Sequence, residues 1–293
     1  MDSVAGDLIF KLIFSAERSK EMLIHLLNSV IDPEGKSIKD VTIRKTELIP
    51  EYVGGKEIRL DVLAEASDKR VINVEIQRKK KENFIKRSLF HWSELYFQQL
   101  PKGGDFIDLH QTVCINILEE SLFKDNRFWH TYHMREDETH ELLTDDEEIH
   151  FLELRKMKKF DKDSPVTWWL EFIKDPHSEV VKQIGEFEPV IKEAVKMFDY
   201  VTSDPQMKEF IRIREDGLHD YNSDINSAER RGIAKGIEQG IEQGIEQGIE
   251  QGITRGELRK ARETALNALS MGLSPEQISK LTGLSLKEIE SLK

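Results

Sequence analysis

The chain has 293 residues, enough for one large domain or two modest ones with a sizeable core. Its 43 Lys+Arg against 55 Asp+Glu give a formal net charge of -12, which excludes a globally basic nucleic-acid coat protein but leaves room for a local basic patch. A single cysteine excludes a disulfide framework, no run approaches the roughly 18 apolar residues of a membrane span, and no secretory signal is visible, so a soluble, cytoplasmic protein with no membrane partner is expected.

From Asp7 to about Ile31, Phe10, Ile13, Phe14, Met22, Leu23, Leu26, Leu27, Val30 and Ile31 recur at helical spacing, and Asp32-Pro33-Glu34-Gly35 ends the segment with turn chemistry. Strands are predicted over Val41 to Leu48, Glu57 to Glu65 and Val71 to Gln77, the last two joined by a tight connection at Ser67-Asp68-Lys69. Phe84 to Leu100 returns to helical spacing until Pro101-Lys102-Gly103-Gly104 breaks it. Gln111 to Leu118, with Cys114 in its apolar centre, reads as a strand covered on both faces. Helix, strands, helix and strand within 120 residues predict a mixed α/β domain. Residues 130–160 are acidic and polar, and no motif places them. Helical spacing resumes from about Pro189 to Ile213. In Gly232 to Gly256 the unit Gly-Ile-Glu-Gln recurs every four residues, and Ser274-Pro275-Glu276-Gln277 and Ser285-Leu286-Lys287-Glu288 then have the form of two capping boxes with Gly283 between them.

The hairpin holds the candidate chemistry. Alternation places Asn73, Glu75 and Gln77 on one face and Ile72, Val74 and Ile76 on the other. If Ala66 pairs with Arg70 across the turn, counting back sets Asp61 opposite Glu75, with Cβ atoms roughly 4.5–5.5 Å apart. Two carboxylates that close repel unless something positive lies between them, and a divalent cation such as Mg2+ takes carboxylate oxygens while keeping waters for a phosphate substrate. From alternation alone, a row of polar residues on a wet sheet face is the more ordinary reading.

Asp61, a short connection and Glu75-Ile76-Gln77 resemble the active-site hairpin of the PD-(D/E)XK nuclease superfamily. Together with Asp7-Leu8-Ile9-Phe10-Lys11-Leu12-Ile13-Phe14, Leu60-Asp61-Val62, Val74-Glu75-Ile76-Gln77, Arg87, Ser93-Glu94-Leu95-Tyr96, Gln99-Leu100 and Gly103, the pattern is similar to one branch, the recombination-promoting nucleases or transposases of PD-(D/E)XK type. The likeness covers residues 5–120 well and the rest weakly. It implies a restriction-endonuclease-like α/β fold, a mixed sheet flanked by helices with a mostly helical C-terminal region. It also implies a metal-dependent DNA endonuclease tied to recombination or mobile DNA, with Asp61, Glu75 and the carbonyl of Ile76 holding the metal. The last motif position is usually Lys, which orients or activates the attacking water. Here it is Gln77, which donates a hydrogen bond but takes up no proton. Asp7 and Lys11, four apart on one helix face, are either a further ligand and a phosphate contact or an exposed ion pair. Arg87 suits a phosphate clamp. Arg78-Lys79-Lys80-Lys81, beside the carboxylates, suits backbone contacts to DNA, although a solvated run explains it too. Tyr96 is equally a core aromatic with its hydroxyl at the rim.

The implied organisation is a nuclease-like core at 1–125, a helical extension at 126–225, a repeat linker or self-association helix at 226–256, and a small helix-turn-helix-like tail at 257–293. His130, His133, His140 and His150 complete no zinc spacing and read as surface residues. Trp168 and Trp169 read as core or interface aromatics. On a helix the repeat lines up Ile237, Ile241, Ile245 and Ile249 in a slowly winding stripe beside a glycine stripe. Each glycine costs roughly 1 kcal/mol, and the glutamates repel at i,i+4. The tract is therefore a flexible spacer or a helix that meets another. The otherwise exposed stripe favours homo-oligomerisation through residues 232–293. The tail suits docking as well as DNA reading, since Glu288 and Glu290 are poor groove partners. The rivals to an endonuclease are a non-catalytic DNA-binding, transposition-associated protein and an interaction module working through the repeat and tail.

Overall fold

The computed structural model describes residues 4, 6–33, 37–48, 58–78 and 82–292. The helical period from Asp7 to Ile31 is divided between α1 (Asp7–Phe14) and α2 (Lys20–Ile31), with a 3-10 turn at Glu17–Ser19 between them. Splitting the segment lets both halves bury their stripes. Phe10, Ile13 and Phe14 of α1 and Leu23, Leu26 and Leu27 of α2 are all fully out of water.

The strands are β1 (Val41–Arg44), β2 (Glu47–Leu48), β3 (Ile58–Arg59), β4 (Val62–Ala66), β5 (Val71–Gln77), β6 (Thr112–Leu118), β7 (Trp129–Tyr132) and β8 (Glu147–Glu153). Six of them form one sheet in the order β1-β4-β5-β6-β8-β7, while β2 and β3 pair separately. The central pairs β5–β6 and β6–β8 are parallel; β1–β4, β4–β5 and β7–β8 are antiparallel. The two strands predicted over 41–48 and 57–65 are each interrupted, at Lys45-Thr46 and at Leu60-Asp61. The breaks face each other: Leu60 N–H donates to the Thr46 carbonyl at 2.9 Å. The Lys11 ammonium donates to Thr46 Oγ1 at 2.5 Å and to the Leu60 carbonyl at 3.4 Å. The chain re-enters the main sheet immediately after Asp61.

The unassigned stretch 130–160 holds β7 and β8, and β8 lies between β6 and β7 with all seven residues buried. Its sequence Glu-Glu-Ile-His-Phe-Leu-Glu hides a strand because the acids are satisfied internally. Glu153 accepts from the N–H of Leu122 at 2.6 Å, the N–H of Phe123 at 3.1 Å and the Lys156 ammonium at 2.8 Å. Glu148 accepts from Gln111 at 2.9 Å and meets His150 at 2.5 Å. The surface reading fails for His130 and His150, which are buried in β7 and β8, and holds for His140, which is exposed.

After β5 comes α3 (Phe84–Phe97), and after β8 come α4 (Pro165–Lys174), α5 (Glu179–Phe187) and α6 (Pro189–Ser203). One sheet face joins Ile72, Val74, Ile76, Val113, Ile115 and Ile117 to residues of α1, α2 and α4–α6 in the main core. Trp168 and Trp169 belong to that core, and Trp169 Nε1 donates to His25 Nδ1 at 2.9 Å. Over β5 and β6 the opposite face is covered by α3.

The chain divides into compact units at 1–214 and 215–293. A helix, α7, runs over Pro205–Ser270, and the repeat tract is helical throughout, with Ile237, Ile241, Ile245 and Ile249 57–59% exposed. The second unit closes with α8 (Pro275–Thr282) and α9 (Leu286–Glu290), both started by the expected capping boxes. Gly283 turns between them at φ 74°, a left-handed conformation that glycine adopts without strain. Ala265, Ala268, Ile278, Leu284 and Ile289 form its small core. Among the described residues no helix is long and apolar enough to cross a membrane.

Candidate active site

The β4–β5 ladder pairs Glu65 with Val71, Ala64 with Ile72, Leu63 with Asn73 and Val62 with Val74. At the turn, Ala66 N–H donates to the Arg70 carbonyl at 2.9 Å, and Lys69 takes the left-handed φ of 74° that so tight a connection requires. One step beyond Val62 and Val74 stand Asp61 and Glu75. Asp61 N–H donates to Glu75 Oε1 at 3.3 Å, and Ile76 N–H donates to Asp61 Oδ2 at 2.9 Å. Each carboxylate therefore holds a backbone N–H of the facing segment, and the two are brought side by side at the carboxyl end of the parallel strands.

This face is not wet. Asn73 is 1% exposed and Glu75 4%, because α3 lies over them. Arg87 of α3 reaches Glu75 Oε2 at 3.4 Å, and His91, one turn later, sets Nδ1 3.8 Å from Oε1. Burial, and after it the charge of Asp61, push the Glu75 carboxyl up to about 8. The Arg87 guanidinium and hydrogen bonds from Asp61 N–H and the Asn73 side chain pull the other way and lose. At neutral pH the pair is thus short of positive charge. Around it, Asn116 donates to Ser88 Oγ at 2.9 Å and to the His150 carbonyl at 3.1 Å, while Asn73 Oδ1 is buried without a hydrogen-bond partner. Cys114 is buried, and burial with the nearby Glu75 charge drives its thiol far above the ordinary range, so it is no nucleophile.

The other candidates fall as follows. Lys11, through Thr46 and Leu60, stands beside the residue preceding Asp61, and Ser15 Oγ donates to the Asp61 carbonyl at 3.4 Å. Asp7 begins α1, but its side chain lies outside the described residues. Gln77 ends β5, half-buried, two residues past Glu75 on the same face, and its carbonyl accepts from Glu119 N–H at 3.0 Å. The side chain of Ile76 is buried on the opposite, apolar face, leaving its backbone as the part next to the pair. Arg78 is exposed and 3.6 Å from Glu119, whereas Lys79, Lys80 and Lys81 lie outside the described residues. Tyr96 stacks on Trp92 at 5.2 Å and donates to Asp146 Oδ2 at 3.0 Å, an architectural role away from the carboxylates. The sequence reading missed His91 and Thr46. Helical spacing from Arg87 would have placed His91 on the same face, whereas nothing local marks Thr46.

Among the described residues no three or more His, Cys, Asp or Glu side chains gather in a metal-ligating group. The donor set that does exist, two hard oxygen ligands on one position, suits Mg2+, which takes one or two carboxylates and fills its shell with water and phosphate oxygens. A dication would also supply the charge that an acid held to about 8 lacks. Compared with known families, the chain matches a family model described as PD-(D/E)XK nuclease family transposase over residues 5–228. No curated protein and no solved structure matches it.

Proposed function

Because the chain belongs to the PD-(D/E)XK nuclease family transposases, a nuclease family linked to mobile DNA, we propose that it is a divalent-metal-dependent endonuclease hydrolysing DNA phosphodiester bonds. The observation that carries the proposal is the mutual clasp of Asp61 and Glu75. Asp61, Glu75 and the backbone carbonyl of Ile76 would hold Mg2+ or another divalent cation, which supplies Lewis-acid polarisation of a phosphodiester and a more acidic water. The chain's own groups do the rest. Lys11, tethered by Thr46, offers a cation to the scissile phosphate, with Asp7 beside it on the helix as a further ligand. The Gln77 amide orients the attacking water by hydrogen bonding without accepting its proton. Arg87 offsets the Glu75 charge and has donors left for a phosphate oxygen. Arg78 and the lysines after it contact backbone phosphates, giving affinity without sequence reading.

Supercoiled plasmid with Mg2+ tests this. Wild type should nick it, while Asp61→Ala and Glu75→Ala should not; equal nicking by all three would overturn the assignment. Gln77 favours a second reading, a DNA-binding relative that has kept the fold without cleaving. Its signature is a silent wild type that gains nicking in Gln77→Lys.

The repeat tract supports a further part of the proposal, a homo-oligomer through residues 232–293. Its isoleucines are exposed on a helix that glycine and glutamate both weaken, and a second copy of the stripe would cover them. Deleting 232–293 should lower the mass in solution to that of a single truncated chain. A deleted form that still weighs as a multimer rules this out.

A further inference from the structure

The sheet face that carries Asp61 and Glu75 is only half covered. α3 packs over β5 and β6, with Trp92 Nε1 donating to the Thr112 carbonyl at 3.0 Å and Gln99 Nε2 to Thr112 Oγ1 at 2.7 Å. Over β1 and β4 the same face lies open as a groove of about 600 Å3, lined by Leu63 and Glu65 of β4, Leu95 of α3 and Gln98 just past its end. Alternation makes this groove an extension of the candidate site: Asp61, Leu63 and Glu65 share one side of the chain, and Arg44 and Thr42 are brought to that side by pairing with Leu63 and Glu65. From Asp61 to Glu65 is ~13 Å at ~3.3 Å per residue, the rise of about four nucleotides along one strand of a duplex.

Three cations border the groove, Arg44, Lys45 and Lys69, in a chain whose formal net charge is -12. Arg44 pairs with Glu65, and the Lys69 ammonium lies 3.4 Å from the same carboxylate, which holds both heads at the groove. Each keeps donors that Glu65 does not use, since a guanidinium has five N–H groups and an ammonium three. Asp108 is the other acid of the lining, so the cations outnumber the acids. The apolar part of the lining, Leu63, Val71 and Leu95, suits sugar faces better than a small free anion.

We propose that this groove is a substrate subsite, which takes the phosphodiester backbone of the DNA strand flanking the bond cut at Asp61 and Glu75. The assignment rests on the endonuclease reading for its ligand, and its test is chosen to fail separately. The full-length protein is titrated with a labelled 20-base-pair duplex in EDTA, where no cleavage competes, at salt from 50 to 200 mM. Lys45→Ala/Lys69→Ala should reduce the slope of log K against log salt by about 1.8, or ~0.9 for each phosphate that a lysine no longer neutralises. Lys45→Arg/Lys69→Arg, which keeps the charge, should restore it, and a melting temperature near wild type shows that the alanine variant is folded. Lys182→Ala/Lys196→Ala, exposed lysines on α5 and α6, should leave it unchanged. A slope equal to wild type in the Lys45/Lys69 alanine variant overturns the subsite even if the protein nicks plasmid. A reduced slope in a protein that never nicks leaves the subsite standing and removes the endonuclease. No binding by wild type removes both.

Discussion

β5 and β6 show two faces built from alternate residues of the same strands. Ile72, Val74, Ile76, Val113, Ile115 and Ile117 point one way, and Asn73, Glu75, Cys114 and Asn116 point the other. Both sets are almost wholly out of water, so burial does not tell core from site. What separates them is whether each buried group is satisfied. The apolar face has nothing to satisfy. On the polar face the Asn116 amide nitrogen makes two hydrogen bonds, whereas Asn73 Oδ1 has no partner and Glu75 holds its proton up to about 8. A buried acid beside another acid is costly to keep unless something charged is meant to join it.

The sharpest way to break this contrast is to remove one group from each face. Asp61→Ala should lower plasmid nicking at least ~1000-fold, about 4 kcal/mol of barrier at 1.36 kcal/mol per tenfold, while its melting temperature stays near wild type. Ile115→Ala should do the reverse: it should cost ~2–5 kcal/mol of stability in denaturant titration, with nicking per folded molecule retained. If both variants lose activity in proportion to unfolding, the two faces are not functionally distinct.

The next test uses pH. The folded Glu75 keeps its proton to about 8, whereas an unfolded glutamate releases it near 4.5. The folded state therefore binds the extra proton between those values. Its contribution is fully present below about 4.5 and is lost as pH rises through about 8, with a slope of at most ~1.4 kcal/mol per pH unit. Melting in EDTA from pH 4.5 to 9 should show wild type losing stability relative to Glu75→Gln across that window, and Mg2+ should restore it at the alkaline end. A constant difference between the two proteins would mean the carboxyl is not held this way. The smallest effect is on the scaffold of the polar face. Ser88→Ala, which leaves the Asn116 amide one acceptor short, should cost ~1 kcal/mol by the same melting measurement and reduce nicking only slightly.

Much of the hairpin was legible because its signals are local. The turn at Ser67-Asp68-Lys69 and the period of two are enough to count Asp61 opposite Glu75, and the ladder runs in that register. Both tail helices were legible for the same reason, since a capping box and a left-handed glycine are written within four residues. β8 was not. Its glutamates and histidine defeat a hydrophobic template, and their partners Leu122, Phe123 and Gln111 come from elsewhere in the chain. The breaks at Thr46 and Leu60 were equally invisible, because Lys11 of α1 joins them from 35 and 49 residues away.

The amino-acid order alone determined which side chains share a side of each strand, where the chain turns back, and hence that two acids would face each other. Whether those acids sit in water or beneath a helix, and whether their face runs on into an open basic groove, was decided only when α3 settled over β5 and β6 and left β1 and β4 bare. Alternation is a property of neighbouring bonds. Solvation and proton affinity depend on everything within several ångströms, and most of that arrives from distant parts of the chain.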